Sequence, residues 1–509
     1  MGTSGQDQVT FWRTVAAGLA EGRPVVACLE QARRELRDTA LCEPIGQIIA
    51  DIRDGHVFSE AMRARGGLFD DRIVEAVRNG EQTGVLDVTA GRIAEALEAD
   101  DLGLLDKVAS GEASVPGSAS VAAHLNEVIH QAAAARASDI HFEPREDSGG
   151  RIRFRVDGVL REQERLTGEP YARMVQQVKA MAGMDLAERR LPQDGRFLVE
   201  IEGRRHDLRV SSVPAIWGER IVCRILAEHT ATFGMEEIGL GGEDAGKVRR
   251  LATLPSGMVI VNGPTGCGKT TVLYSMLKEV NKEACCVMTV EDPVEYTFDG
   301  ISQIPIRPAV GLTFARAIRS VLRQDPDVIM VGELRDLEMM SLSVQVAMTG
   351  HLLLTSLHAQ TSAGAIQRLI DVGLEPFLVN AALAGVITPR LVRVLCKHCR
   401  RPAEPQEHMM PPRAWEIVSR LSDGEFCEPV GCERCGGMGF RGRTAIYEIL
   451  VMDDRIRRCV TKPVNVAAIR EAAREGGMKT LLEDGLQKAA RGVTAVREIL
   501  RIVPHGTHA

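Results

Sequence analysis

Apolar residues recur three and four positions apart from residue 11 to about residue 101, with few β-branched runs, and this spacing predicts a series of helices. Gly22, Gly55, Gly66 and Gly84 cut the series into short pieces, so residues 1–101 read as a small all-α bundle with a charged, solvated face. Residues 102–119, LGLLDKVASGEASVPGSA, are small, polar and contain Gly and Pro, the composition of a linker. The pattern then changes. An amphipathic helix over residues 121–135 leads into alternating segments such as RIRFR (151–155) and residues 205–213, which predict antiparallel strands in an α+β domain spanning 120–228. Their alternation puts arginines on one face, and solvation is the simplest account of it. From residue 229 the pattern becomes four short apolar runs, 258–261, 286–290, 328–331 and 352–355. Runs of this kind predict parallel strands buried on both faces. The last domain is thus α/β and runs from 229 to 509, closing with helices and a frayed polar tail.

A chain of 509 residues accommodates roughly three domains at about 150 residues each, and 45% hydrophobic content supports real cores. The net charge of −7, with both signs interspersed, argues against a dedicated nucleic-acid binder. Aromatics at 4% leave few stacking platforms for single strands. The longest apolar stretches, such as residues 377–387, fall short of the ~18 residues a membrane span requires, and the polar opening carries no secretory signal. In the reducing compartment this implies, the twelve cysteines are thiols or metal ligands rather than a disulfide framework.

The stretch that organises the chain is GPTGCGKTT, residues 263–271, between the apolar MVIVN and the helical VLYSMLKEV. It fits the phosphate-cradling pattern of a strand, a glycine loop and a helix. Gly263, Gly266 and Gly268 let the backbone curl so that the N–H groups of Pro264's neighbours, Thr265 and Cys267 among them, point at phosphate oxygens, and the helix N-terminus adds positive charge. Lys269 then reaches the β- and γ-phosphates and the Thr270 hydroxyl holds Mg²⁺, with Thr271 closing the motif. The chain therefore reads as an ATPase. Each later apolar run also ends at a polar group: Glu291-Asp292, Glu333, and His358 after Ser356-Leu357. Ligands of open α/β sheets sit beyond the carboxyl ends of the strands, so these ends form one constellation. Glu333 suits Mg²⁺ and its waters; Glu291 suits orienting or deprotonating the attacking water, and the two roles can exchange. Asp292 is equally a turn cap, and Asp325 and Asp327 shape the turn before their strand. His358 is either structural or a sensor of the γ-phosphate or a neighbouring subunit. Arginines for the developing phosphate charge come from the preceding domain, with Arg209, Arg220 and Arg224 as candidates.

From about residue 120 to 461 the sequence resembles the secretion ATPases of type II secretion and type IV pilus assembly. The matching stretches are RASDIHFEP (136–144), RVDG (155–158), AERRLPQDGR (187–196), GPTGCGKTT, VEDPVEY, LRQDPDVIMVGELRD (322–336) and TGHLLLTSLHA (349–359). The resemblance implies a RecA-like P-loop ATPase domain preceded by an α+β domain, in a homo-hexameric ring with nucleotide between the two domains. It implies that Lys269 and Thr270 bind phosphate and Mg²⁺, that Glu291 and Glu333 are the catalytic and metal-associated carboxylates, that His358 is the histidine-box residue, and that Arg209 and Arg224 reach the phosphates. It also implies a cytoplasmic motor, peripheral at the inner membrane, that works with the platform protein and associated assembly proteins to extrude pilin-like subunits. Residues 11–98 resemble a cytoplasmic helical domain of that platform protein, chiefly around Gly80-Glu81, Gly84 and Leu86-Asp87, and stand where the family has another N-terminal domain.

Cys396, Cys399, Cys432 and Cys435 give C-x₂-C, a 32-residue spacer, then C-x₂-C, the sulfur set of a tetrahedral Zn²⁺. The spacer is longer than in short zinc motifs. The resemblance supplies the rest, because assembly-type relatives carry such an insert, here 396–435, before a GFRGR-like run. The remaining cysteines read as buried thiols. Cys267 replaces a usual serine, Met339-Met340 a commoner Thr-Ala, and Thr388-Pro389 a usual Ala-Gln; the proline should disturb a helix and the subunit packing near it. A retraction motor, a nucleic-acid translocase and a non-catalytic scaffold are the competing readings. The four-cysteine insert, the acidic balance and the intact Lys269, Thr270, Glu291 and Glu333 speak against them in turn.

Overall fold

The computed structural model describes residues 5–503 apart from 21–22, 37–38, 54–55, 84–85, 100, 110–120, 148, 202, 228–233 and 422. Gly22, Gly55, Gly84 and the 110–119 stretch of the expected linker lie outside these described residues. The chain forms two units, Met1–Glu228 and His229–Ala509.

The first unit opens with the helices Gly5–Ala20, Val25–Glu35, Cys42–Arg53, Phe58–Arg63, Asp71–Thr83, Leu86–Glu98 and Leu102–Ala109. Their apolar faces meet in a core where Phe11, Trp12, Phe58 and Phe69 pack as an aromatic cluster, with ring centroids 5.0–6.2 Å apart. Two residues of the sequence signature have clear structural work. A Cβ on Gly80 would stand 2.7 Å from Thr89 Oγ1, so this crossing of two helices needs a residue without one. The Glu81 carboxylate accepts from the backbone N–H groups of Phe58 at 2.7 Å and Ser59 at 3.0 Å, capping the helix that starts there. Residues 102–109 are helix rather than linker. Leu105 and Val108, three apart, are buried in the bundle core, a local periodicity that the polar composition of the longer stretch hides.

The α+β part is a six-stranded antiparallel sheet in the order Val159–Leu166, Gly150–Val156, Ala137–Pro144, Gly218–Ala227, Arg204–Ala215, Gln193–Ile201, with the helices Val121–Ala134 and Gly168–Met181 packed against it. In Gly150–Val156 the residues Ile152, Phe154 and Val156 are buried, and Arg151, Arg153 and Arg155 face the other way. These arginines are paired, not merely solvated. Arg151 and Arg153 donate to the buried Glu143 at 2.8 and 2.5 Å, and Arg155 lies 3.5 Å from the buried Asp139.

In the second unit the strand order is Phe440–Val451, Leu383–Leu395, Gly257–Asn262, Leu352–Leu357, Val328–Val331, Val287–Glu291, Ser302–Pro305. All neighbours are parallel except the edge pair Phe440–Val451 and Leu383–Leu395. The four strands expected from the apolar runs occupy the middle and are buried on both faces. Thr388-Pro389 corrects an expectation. It lies within the strand Leu383–Leu395, opposite Glu448 and Tyr447, rather than in a helix. Thr388 is fully buried and bonded to Ser362 Oγ at 2.8 Å, so the exchange there acts inside the sheet. The apolar run at 377–387 that precedes it is a helix end followed by a strand, which is why it stays short.

Candidate nucleotide site

The glycine loop emerges from the central strand Gly257–Asn262 and delivers its lysine to the first position of the helix Lys269–Val280. Gly263, Gly266 and Gly268 all have positive φ (151°, 76° and 99°). Pro264, Thr265 and Gly266 are exposed along the loop, and Cys267 is buried beneath it. Lys269 folds back so that Nζ donates to the carbonyl oxygens of Gly263 at 2.8 Å and Pro264 at 3.1 Å, with the hydroxyl-bearing Thr270 exposed beside it. Burial lowers the Lys269 pKa and raises that of Cys267. The loop is anchored from behind. Asn262 Nδ2 donates to Thr361 O at 2.9 Å, Asn262 Oδ1 accepts from the Ala359 N–H at 2.7 Å, and Arg390 donates to Pro389 O and Gln360 O.

The neighbouring strand ends bring the acids in. Glu333 lies just beyond Val328–Val331 with its side chain 28% exposed, and receives His358 Nε2 at 3.3 Å and a short contact from Arg335 Nε. Burial alone would raise the Glu333 pKa, but the Arg335 hydrogen bond and charge and the His358 contact bring it below the ordinary value. Its charge in turn acts on Lys269, so lysine, acid and histidine share one site. Arg335 also lies 3.6 Å from Asp292, joining the two acidic segments. Glu291 is placed differently. It ends Val287–Glu291, is 3% exposed, and points into the protein, where Tyr274, Thr289 and Gln303 donate to it. Arg335 and Tyr274 were missed in the sequence. The i, i+2 spacing in GELRD hints at the first, while nothing local signals the second. Asp325 takes φ +52° and Asp327 accepts from the Cys286 N–H at 2.7 Å, the expected turn before the strand.

A small cavity of about 130 Å³ adjoins the loop, lined by Gly268, Thr271, Ile238, Leu391, Arg443 and Tyr447 among others. In the first unit, Arg196, Arg209 and Arg224 stand abreast on adjacent strands around a cavity of about 620 Å³. Arg224 donates to Asp139 at 3.1 Å and Arg220 lies 3.0 Å from Glu143. Like charges side by side on a sheet are unfavourable unless an anion joins them, and at Arg224 Asp139 supplies one. Arg196 was not singled out in the sequence although it ends the quoted AERRLPQDGR.

The sulfur atoms of Cys396, Cys399, Cys432 and Cys435 all lie within 4.8 Å of one another. The closest pairs are 3.8–3.9 Å apart, and four thiolates at ~2.3 Å from a tetrahedral Zn²⁺ stand about 3.8 Å from each other. Amide hydrogens from Gly431, Cys432 and Gly439 point at Cys399 and Cys435 sulfurs at 3.1–3.3 Å. Against burial, such bonds bring Cys435 down to about 6. This donor set fits zinc.

Residues 115–501 match the family described as Type II/IV secretion system protein, and residues 11–108 match Type II secretion system (T2SS), protein F. The chain belongs to the type II/IV secretion system protein family. It is 43% identical over 381 residues to type II secretion system protein E of Xanthomonas campestris, covering 74% of this chain and 66% of the relative. With the type II secretion system ATPase E of Vibrio cholerae it shares 41% over 384 residues, 74% of each. With the type IV pilus assembly ATPase PilB of Thermus thermophilus it shares 41% over 376 residues, 74% of this chain and 42% of that one. The structure of the Legionella pneumophila ATPase DotB superposes with a TM-score of 0.54 at 20% identity, covering 74% of this chain and 94% of DotB, which establishes the fold. The chain is accordingly a P-loop ATPase of the type II secretion and type IV pilus assembly class, with a protein F-like helical domain in front. Among the described residues no helix is long and apolar enough to cross a membrane.

Proposed function

We propose that this chain hydrolyses ATP as a homo-hexameric motor at the inner-membrane platform, where it drives assembly of pilin-like subunits in type II secretion or pilus assembly. The observation that carries the reading is the convergence of Lys269, Glu333 and His358 on one glycine loop. In this reading Lys269 exchanges the two loop carbonyls for β- and γ-phosphate oxygens, and the backbone N–H groups of residues 265–268 line the same anion. Thr270 and Glu333 hold Mg²⁺, which supplies charge neutralisation on the phosphates. The cavity beside Gly268 and Thr271 takes the base between Ile238 and Leu391. Glu291 takes a proton from the attacking water as its oxygen bonds to the γ-phosphorus and the bridging P–O bond breaks, releasing ADP. His358 reports the γ-phosphate to Glu333, and Arg209 and Arg224 neutralise phosphate charge from the α+β domain. The four cysteines hold a structural Zn²⁺. The protein F-like domain favours a second element of the reading: a cytoplasmic motor held at the membrane by pairing of that domain with the platform protein.

Steady-state hydrolysis by the purified chain beside Lys269→Ala and Glu291→Ala, with light scattering on the same samples, tests the motor. Mg²⁺-dependent turnover that falls at least ~100-fold in both variants while a hexamer-sized species persists is the expected outcome. Turnover that survives Lys269→Ala would exclude this loop as the site.

A further inference from the structure

Glu291 is the acid assigned to the attacking water, yet its carboxylate is held entirely by groups of the protein. Oε1 accepts from Thr289 Oγ1 at 2.6 Å and Gln303 Nε2 at 3.2 Å, and Oε2 accepts from the Tyr274 hydroxyl in a short hydrogen bond. A carboxylate offers about four lone-pair directions, so these three donors leave about one for a water. The Tyr274 oxygen also accepts from the Glu295 N–H at 3.2 Å, closing the segment after the strand onto the same phenol. Its ring is wedged edge-on between Tyr296 and Phe298, with centroids at 5.9 and 5.0 Å, so the hydroxyl has little freedom to leave. Tyr274 belongs to Lys269–Val280, the helix whose first residues carry the phosphate contacts. One side chain thereby joins the phosphate helix, the acid and the acidic-box segment.

We propose that Tyr274 is a positioning residue for the hydrolysis step: its hydroxyl sets the orientation of Glu291 and couples it to the helix that carries Lys269 and Thr270. The inference rests on the assignment of Glu291 as the base. Burial, with the neighbouring Glu291 adding to it, pushes the Tyr274 pKa far up, so the phenol stays a donor throughout the working pH range. Losing this donor frees the carboxylate to turn away from the attacking water, so the effect falls on the chemical step and not on ATP binding. The other ionisable groups that this part of the sheet brings along are Asp292 and Glu295 in sequence, Tyr296 against Tyr274, Arg335 through its 3.6 Å pair with Asp292, and Glu333 through Arg335. All of them remain in a variant that removes a single oxygen.

The test is kcat and KM for ATP of the full chain with Tyr274→Phe, which keeps the ring and its packing, and with Gln303→Leu, which removes a donor from the other carboxylate oxygen. Tyr274→Phe is expected to lose about tenfold in kcat with little change in KM for ATP. Gln303→Leu is expected to lower kcat in the same way by less. Wild-type kcat in Tyr274→Phe overturns the inference. So does a KM for ATP that rises as kcat falls, which a merely structural role would produce. Glu291→Gln separates the two layers: full activity in that variant would sink the assignment of the base itself, whereas an inactive Glu291→Gln beside a wild-type-like Tyr274→Phe would sink only the role of the tyrosine.

Discussion

Gly263 stands where the central strand turns into the phosphate loop, at φ +151°, and a Cβ there would lie 2.6 Å from Cys267 Sγ and 2.7 Å from Arg390 Nη1. Both neighbours are buried, so neither can withdraw cheaply. Gly263→Ala is therefore expected to weaken ADP binding at least ~10-fold by calorimetry while the chain stays folded, because the strain falls on the loop and not on a core. Cys267→Ser keeps a small side chain under the loop and should retain hydrolysis within about threefold. Equal losses in both variants would show that the thiol, and not the space, is what the loop needs. The same closeness explains the arginine. Burial lowers the Arg390 pKa, while the nearby Cys267 and Glu448 oppose that shift and favour its charge. Its hydrogen bonds go to the carbonyls of Pro389 and Gln360, so it braces the loop against the segment that carries His358.

At the scale of elements, the two cysteine pairs show how strand pairing answers a question that spacing leaves open. Cys396 and Cys399 follow Leu383–Leu395, and Cys432 and Cys435 precede Phe440–Val451. Those two strands pair antiparallel, with Leu395 opposite Phe440, so the end of one and the start of the other meet at the same edge. The 32-residue spacer is then free in length, because the sheet and not the spacer brings the sulfurs together. Gly439 completes the turn: its φ is +73° and a Cβ would collide with Pro429 at 2.4 Å. Metal analysis of the purified chain is expected to give one zinc per chain. Removing the metal by chelation, or Cys432→Ser, should lower Tm by several degrees, about 5 °C, through loosening of this edge. A metal-free preparation with an unchanged melting curve would leave four reduced thiols.

For the whole molecule, the decisive fact is that the helical domain has a core of its own. Phe11, Trp12, Phe58, Phe69, Ile45, Ile73 and Leu105 bury against one another within residues 5–109. A chain lacking residues 1–110 thus gives up a self-contained module and keeps both the antiparallel sheet and the ATPase sheet. Such a deletion is expected to retain ATP hydrolysis within about threefold and to lose co-sedimentation with membranes that contain the platform protein. Recruitment that persists without the module would sink the tethering role.

Much of this protein was legible in one dimension because its chemistry sits at places where local pattern and function coincide. The glycine loop, the buried parallel runs and the acids at their ends are short-range signals, and backbone sterics with hydrophobic periodicity suffice to place them. The sequence alone thus determined the ATPase class and the glycine loop, and it picked out the four cysteines that the fold brings together. Side-chain partnerships between distant segments were decided only by tertiary structure. Tyr274 meets Glu291 across 17 residues, Arg151 and Arg153 converge on Glu143, and His358 meets Glu333 across 25. Thr388-Pro389 turned out to be strand, and residues 102–109 helix, because pairing with Phe440–Val451 and burial of Leu105 outweighed local composition. The physical reason is the same in each case: periodicity reports which face of an element is buried, whereas hydrogen-bond partners depend on which elements the fold sets side by side.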